Sequence, residues 1–253
     1  MNLRLQLSLA KDYRSPSQIA RVITEGWVES FVKCPGCAKS IVKAPNNSSG
    51  LDFFCKPCEL NFELKSKRGD LGAKVVDGAY QSMLTKVATG TQSNFFLLSY
   101  NSEYVVTNLV LVPKRFIVPE LIERRKPLAI SARRAGWVGC NLKISHIPAA
   151  GKIFYIKDKS IFPANEVFSQ WKKTVFLDQI SISSRGWLIA VMRCVEKLDK
   201  ADFSIRDVYR FVPLLQSMFP KNKHIEAKIR QQLQVLRDMG WIKFLGGGKY
   251  SRK

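Results

Sequence analysis

The sequence contains no run of about 18 apolar residues, which a membrane-spanning helix would need. It also lacks a recognisable export signal, because its first ten residues alternate leucine with polar residues and are expected to form an extended arm instead. We therefore expect a cytoplasmic protein with no membrane partner, and we take the monomer as its working oligomeric state.

Acidic residues are scarce as well. The chain has 20 Asp and Glu against 41 Lys and Arg, which gives a formal net charge of +21. Such a protein is attracted to polyanions, of which nucleic acid is the commonest, and a basic surface that serves only solubility is the alternative. Disorder is disfavoured because 46% of the 253 residues are hydrophobic, and this length suits one large domain or two of ordinary size.

Four of the six cysteines form two C-x-x-C pairs, Cys34 with Cys37 and Cys55 with Cys58, with 17 residues between the pairs. The two-residue gap folds each pair into a tight turn, so that together they supply four thiolates to a tetrahedral zinc ion. Four thiolates leave no open coordination position, and we therefore expect the zinc to be structural. A redox-active pair is the alternative, while disulfides are disfavoured in a chain without an export signal.

The residues on either side of the second cysteine pair alternate between apolar and polar, as in a β-hairpin. A register with Phe54 opposite Glu59 places Asp52 diagonal to Glu63, on the same polar face as Lys65. A diagonal separation of about 7–8 Å between backbones lets two carboxylates converge on one cation.

These three side chains suit the hydrolysis of a phosphodiester. Two carboxylates, here Asp52 and Glu63, are ligands that Mg²⁺ prefers, and the bound metal activates water and stabilises charge on phosphorus. Lys65 could orient or deprotonate the attacking water and neutralise the phosphate.

The pattern of Asp52 followed by Glu63-Leu64-Lys65 resembles the PD-(D/E)xK nuclease superfamily, although Leu51 stands where the name-giving proline would be. The resemblance implies an α/β nuclease core, with Asp52, Glu63 and the backbone carbonyl of Leu64 as Mg²⁺ ligands and with Asp52, Glu63 and Lys65 as the catalytic residues. The cysteine site is then an insertion in that core.

Other segments fit such a core. A helix should begin at Ser15-Pro16, a second should cover 74–87, and strands should cover 95–100 and 104–112.

A second domain is expected to begin near Ser183, which divides the chain into 1–182 and 183–253. Three helical stripes are followed by a hairpin with Gly246-Gly247-Gly248 at its tip. This order is typical of a winged helix, which places its third helix in the DNA major groove and its wing against the backbone. Some winged helices bind protein instead.

The basic and amide side chains of this domain are the candidate DNA contacts. The third helix offers residues suited to base edges: Lys228, Arg230, Gln231 and Gln234. The residues expected to neutralise phosphates are Lys221, Lys223, Lys243, Lys249, Arg252 and Lys253.

Both cysteine pairs, the Asp52 and Glu63-Leu64-Lys65 motif, and the C-terminal segments 229–233 and 248–250 together resemble methyl-directed restriction endonucleases over essentially the whole chain. The resemblance implies Mg²⁺-dependent cleavage of double-stranded DNA at GATC sites that carry N6-methyladenine. An apolar wall would be needed to sense the methyl group, and Trp137 is a candidate for it, although a core position is equally consistent with its sequence.

Two other functions remain open. A zinc-containing winged-helix transcription regulator would need no carboxylates beside Lys65, whereas a nuclease of RNA or branched DNA would share them but would need no sequence reader.

Overall fold

The computed structural model of the chain describes residues 1–45, 48 and 50–252. Lys253, the last residue of the predicted second domain, lies outside this part. The helices are α1 (Pro16–Phe31), α2 (Tyr80–Thr89), α3 (Ala164–Lys173), α4 (Ile182–Glu196), α5 (Ile205–Tyr209), α6 (Val212–Met218) and α7 (Ile225–Asp238). The strands are β1 (Val42–Lys43), β2 (Phe53–Cys55), β3 (Leu60–Arg68), β4 (Val75–Ala79), β5 (Asn94–Tyr100), β6 (Val106–Val112), β7 (Ile122–Arg124), β8 (Gly139–Leu142), β9 (Ile153–Lys157), β10 (Ser160–Ile161), β11 (Asp202–Ser204), β12 (Ile242–Gly246) and β13 (Lys249–Arg252).

A seven-stranded mixed sheet, in the order β1-β2-β3-β5-β6-β9-β10, forms the centre of the molecule. β3 and β5 are parallel, and the other neighbours are antiparallel. All of β5 is buried, with Phe95 and Leu97 in one core cluster and Phe96 and Leu98 in the other. Because successive side chains of a strand point to opposite faces, both faces of this sheet must be covered.

Helices α1 and α3 cover one face. As predicted, α1 begins after Ser15 with a proline in its first turn, and it buries Ile23, Trp27 and Val28. The extended arm before it is short, since Arg4 pairs with Val105 but a turn of 3₁₀ helix follows at Leu7–Ala10.

The other face is covered by α2 and by a second sheet in the order β4-β8-β7. The helix predicted over 74–87 is therefore wrong in its first six residues, because 75–79 form a strand and the helix covers 80–89. Val75 and Val76 are β-branched and pair with β8, and a bulge follows between Asp77 and Ala79.

Residues 182–252 form the winged helix that was predicted. Ser204 and Asp207 make a capping box at the start of α5, and Pro213 lies in the first turn of α6. The wing is a three-stranded sheet, β11-β13-β12, and its tip is turned by three consecutive glycines with positive φ. The predicted fold class is thus confirmed in its architecture, a mixed α/β core with a large sheet followed by a winged helix.

Helix α4 joins the two parts. Nine of its 15 residues are buried, from Gly186 to Val195, and they lie around its whole circumference. It contacts α5 and α7 on the winged-helix side and the turn Lys114–Phe116 on the nuclease side. A Cβ at Gly186 would stand only 2.7 Å from a carboxylate oxygen of Glu120, so a larger residue there would require the Glu120 side chain to shift. Among the described helices, none has the length and apolar character that a membrane span requires.

Candidate active site

The predicted hairpin forms, but its register differs from the prediction by two residues. Phe53 lies opposite Phe62 and Cys55 opposite Leu60, because Glu59 adopts a positive φ and belongs to the turn. A shift of two residues keeps every side chain on its predicted face. Asp52, just before β2, lies beside the segment 62–64 of β3, with which it makes two hydrogen bonds.

Asp52 is anchored by the neighbouring strand. The backbone N–H of Leu64 donates to Asp52 Oδ2 at 2.7 Å, and the N–H of Asp52 donates to the carbonyl of Phe62 at 2.9 Å. Burial raises the pKa of the Asp52 carboxyl, and the hydrogen bond from Leu64 and the charge of Lys65 offset this only in part.

Glu63 and Lys65 lie on the face of β3 that is turned toward α2 and β4. Lys65 Nζ is 2.6 Å from Glu63 Oε1 and 2.6 Å from Asp77 Oδ1. Burial raises the pKa of Glu63, and Asp77 adds to this while Lys65 opposes it. Burial alone would lower the pKa of Lys65, but Glu63 and Asp77 outweigh it, so the pKa is raised and the side chain is an ammonium ion.

The carboxylates fit a divalent cation. Asp52 immediately precedes β2 and Glu63 lies on the adjacent strand β3, and burial of the two carboxyl groups raises both pKa values. The oxygen atoms of neighbouring carboxylates are the hard ligands that Mg²⁺ prefers. Leu64, whose carbonyl is the third predicted ligand, lies between Glu63 and Lys65 on β3.

The four cysteines of the two pairs come together as predicted. Their sulfur atoms all lie within 4.8 Å of one another, and Cys34 and Cys55 are buried. The N–H of Gly36 points at Cys34 Sγ at 3.4 Å, which is the geometry of a turn that presents sulfur to a metal. The cluster could bind zinc, and it lies at the turn of the same hairpin that carries Asp52 and Glu63.

The third helix of the winged-helix fold, α7, buries Ile225, Ile229, Leu233 and Leu236 and exposes most of its polar residues. Of the predicted base-contacting residues, Arg230, Gln231 and Gln234 are exposed and Lys228 is half-buried. Lys228 Nζ donates to Gln231 Oε1 at 2.7 Å, and Arg230 donates to the hydroxyl of Tyr209 at 2.6 Å.

The predicted phosphate contacts divide into two groups. Those that are fully exposed around α7 and on the wing are Lys221, Lys223, Lys243 and Lys249. Arg252 is half-buried and donates to the carbonyl of Glu196 at 3.4 Å. It lines a cleft of about 920 Å³ between the nuclease part and the winged helix, together with Lys172 and Trp241.

Two family models match the chain. Residues 1–180 match DpnI, the Dam-replacing family, and residues 183–252 match the Dam-replacing HTH domain. The chain belongs to the Dam-replacing family. This is a family of methyl-dependent restriction enzymes, and its helix–turn–helix domain makes DNA the partner.

The structure also places near this site charged residues that the sequence analysis missed. Asp77 lies in the strand that was taken for a helix. Glu25 on α1 is buried, is 2.7 Å from Lys43, and its charge acts on Asp52. A carboxylate inside the apolar face of α1 was a signal that could have identified Glu25, because buried acids are rare without a partner. Lys86 of α2 reaches Gly50, beside which Glu63 Oε2 also lies.

Proposed function

We propose that this member of the Dam-replacing family is a Mg²⁺-dependent endonuclease that hydrolyses double-stranded DNA at GATC sites carrying N6-methyladenine. The observation that carries the proposal is the cluster in which Asp52 accepts the N–H of Leu64, its charge acts on Glu63, and Lys65 is 2.6 Å from Glu63. A transcription regulator would have no use for partly buried, repelling carboxylates at this place.

Asp52, Glu63 and the carbonyl of Leu64 would hold the metal ion. When bound, Mg²⁺ would activate water and stabilise the charge that develops on phosphorus. Lys65 is held protonated by its two carboxylate neighbours. Of the two roles expected for it, orienting water and neutralising the phosphate therefore fits better than removing a proton.

The surroundings suit a DNA backbone. A cleft of about 490 Å³ between α1 and β3 opens beside Lys65, and Arg21, Lys67 and Lys74 line it. These cations would attract the phosphates that flank the cleaved bond.

The winged helix, in a domain that we place at 183–253, would position the enzyme on its site. Arg230, Gln231 and Gln234 of α7, with Lys228, would face the major groove, and Lys221, Lys223, Lys243 and Lys249 would contact phosphates. Arg252 would reach DNA only at the edge of the interdomain cleft.

Trp137 is our candidate for contact with the methyl group. It lies in the basic loop between β7 and β8, half-buried, with the guanidinium of Arg134 4.8 Å from its ring centre. This loop joins β7 to β8, and β8 pairs with β4, the strand that carries Asp77.

Zinc in the cysteine cluster would have a structural role, since four thiolates leave no coordination position for substrate. It would fix the turn of the hairpin whose strands carry Asp52 and Glu63.

The decisive experiment compares plasmid DNA methylated and unmethylated at GATC, each incubated with the full chain and with or without Mg²⁺. Fragments from methylated DNA alone, and only with Mg²⁺, are expected. Binding without cleavage would favour a regulator, and equal cleavage of RNA or branched DNA would favour a structure-selective nuclease. The Asp52→Asn variant, prepared in parallel, controls for a contaminating nuclease.

A further inference from the structure

Asp77 is a carboxylate that the proposed hydrolysis leaves without a role. It lies on β4, in a different sheet from Lys65, and its side chain is only 8% exposed. Its Oδ1 is 2.6 Å from Lys65 Nζ, as close as Glu63 Oε1 on the other side of the same ammonium group. Lys65 is thus held between two carboxylates from two separate sheets.

The local backbone of β4 orients the Asp77 side chain toward Lys65. Asp77 pairs with Cys140 of β8, and the bulge begins immediately after it. A bulge bends its strand and redirects the side chains beside it, and such features are over-represented next to active sites. Cys140 Sγ lies 3.4 Å from the carbonyl of Gly78 and occupies the space behind the bulge.

The two carboxylates around Lys65 are not equivalent. Under the proposed function Glu63 is a metal ligand, so its oxygens are shared between the cation and Lys65. Asp77 lies on the opposite side and has no such competing task. A lysine has four rotatable side-chain bonds and loses its position readily when its partners are withdrawn.

We propose that Asp77 is a positioning residue that holds the ammonium group of Lys65 at the cleavage site while Glu63 binds the metal ion. This inference rests on the proposed function, because it assumes that Lys65 takes part in hydrolysis. Asp77 acts through Lys65 and needs no contact of its own with DNA.

The test is single-turnover cleavage of methylated duplex DNA by the full-length Asp77→Asn variant. We expect the rate constant to fall roughly 10- to 100-fold, the usual effect of removing a residue that orients an active-site group, while the Kd for DNA changes less than about twofold. Asp178→Asn is the control. Asp178 lies in the turn Val175–Gln179 and pairs with Arg115 at 3.5 Å, so this variant loses an ion pair that has no part in the proposed site.

The second measurement repeats Asp77→Asn in a Lys65→Gln background, at a temperature where circular dichroism shows all variants folded. If Asp77 acts through Lys65, its replacement should lower the residual rate less than about twofold there. An equal loss in both backgrounds would show a merely structural role and overturn the inference. Asp77→Ser replaces Asp77→Asn if the latter does not fold.

Failure of the inference and failure of the proposed function give different results. No cleavage of methylated DNA by the wild-type chain would overturn the proposed function. A Lys65→Gln variant that cleaves at the wild-type rate would remove Lys65 from the reaction and would overturn the positioning role while leaving the proposed function standing. A wild-type rate for Asp77→Asn beside an impaired Lys65→Gln would reject only the positioning role.

Discussion

At the scale of single residues, the site holds more negative than positive charge. Asp52, Glu63 and Asp77 surround one ammonium group, that of Lys65, and burial raises the pKa of both Asp52 and Glu63. When the folded-state pKa of an acid is raised, its ionised form destabilises the fold, and this loss appears as the pH rises through that pKa. The carboxylates are therefore retained at a cost in stability that the bound cation would offset.

The Asp52→Asn variant separates these two effects. It should reduce cleavage by roughly a thousandfold or more, since a ligand worth several kcal/mol is lost. Its melting temperature without added Mg²⁺ should not fall, and should rise by roughly 2–4 °C if removing the charge is worth about 1 kcal/mol. The Asn oxygen can still accept the N–H of Leu64. Near-wild-type cleavage at saturating Mg²⁺ would show that Asp52 is not a ligand.

The same pKa shifts predict how Mg²⁺ binding depends on pH. Mg²⁺ needs both carboxylates ionised, and raised pKa values mean that protons compete at a higher pH than the ordinary value near 4. Affinity should be full above the raised pKa values and should weaken as the pH falls through them. Isothermal titration of Mg²⁺ into the protein without DNA, so that no cleavage contributes heat, measures this from pH 8 to 5. An affinity that stays constant down to pH 5 would contradict it.

Much of the site could be predicted from sequence, because two-residue alternation alone places Asp52, Glu63 and Lys65 on one face of a hairpin. Asp77 could not. Val75, Ala79, Met83 and Val87 recur every four residues, which is a helical pattern, and it was taken as one. Pairing with β8, more than 60 residues later in the chain, decides that 75–79 is a strand, and local periodicity carries no information about so distant a partner.

At the scale of elements, the β2–β3 hairpin carries both the cysteine cluster and the proposed metal ligands. Cys55 ends β2, and Asp52 immediately precedes the same strand. Loss of the metal at the turn should therefore displace Asp52, because only the three residues of β2 separate them.

We predict that Cys55→Ser loses zinc and destabilises the protein by at least about 3 kcal/mol, which lowers the melting temperature by roughly 6–12 °C for a chain of this size. Zinc content by mass spectrometry of the metal and a melting curve test this. Cys194→Ala is the control, because Cys194 is equally buried but lies in α4, outside the cluster. Full zinc content with unchanged melting would contradict the structural role.

The wing is the second element with a testable role. Lys243 of β12 and Lys249 of β13 are exposed, and replacing both by Gln should weaken binding to any DNA sequence. The slope of log K against log salt should become shallower by about two, since each lysine accounts for nearly one released counterion. Lys159→Gln, in the turn between β9 and β10 at the far edge of the main sheet, should leave the slope unchanged. An unaltered slope for the double variant would remove the wing from the DNA interface.

At the scale of the whole molecule, α4 belongs to the cores of both parts. Its helical stripe, from Trp187 to Val195, was evident in the sequence, but burial on its remaining sides was not, because the turn Lys114–Phe116 that it contacts lies some 70 residues earlier. A shared helix makes the two parts depend on each other for stability, even though their family models divide between residues 180 and 183.

We therefore predict one cooperative unfolding transition for the full chain in scanning calorimetry. Leu188 of α4 is fully buried. Leu188→Ala should reduce the free energy of unfolding by about 3 kcal/mol, which lowers the melting temperature of the single transition by roughly 6–12 °C without splitting it. Two peaks, only one of which moves, would show that the parts unfold independently.

The position of α4 in the chain also matters while the protein is being made. When the ribosome has released residues 1–181, the nuclease part has its strands and α1 to α3, but the apolar surface around Phe116 and Leu121 still awaits α4. At about 5–20 residues per second, the missing helix follows within a few seconds. A ribosome that stalls there would hold a nascent chain with an exposed apolar surface, and a gene truncated there would encode a fragment with the same surface. Such chains should be aggregation-prone and should require chaperones.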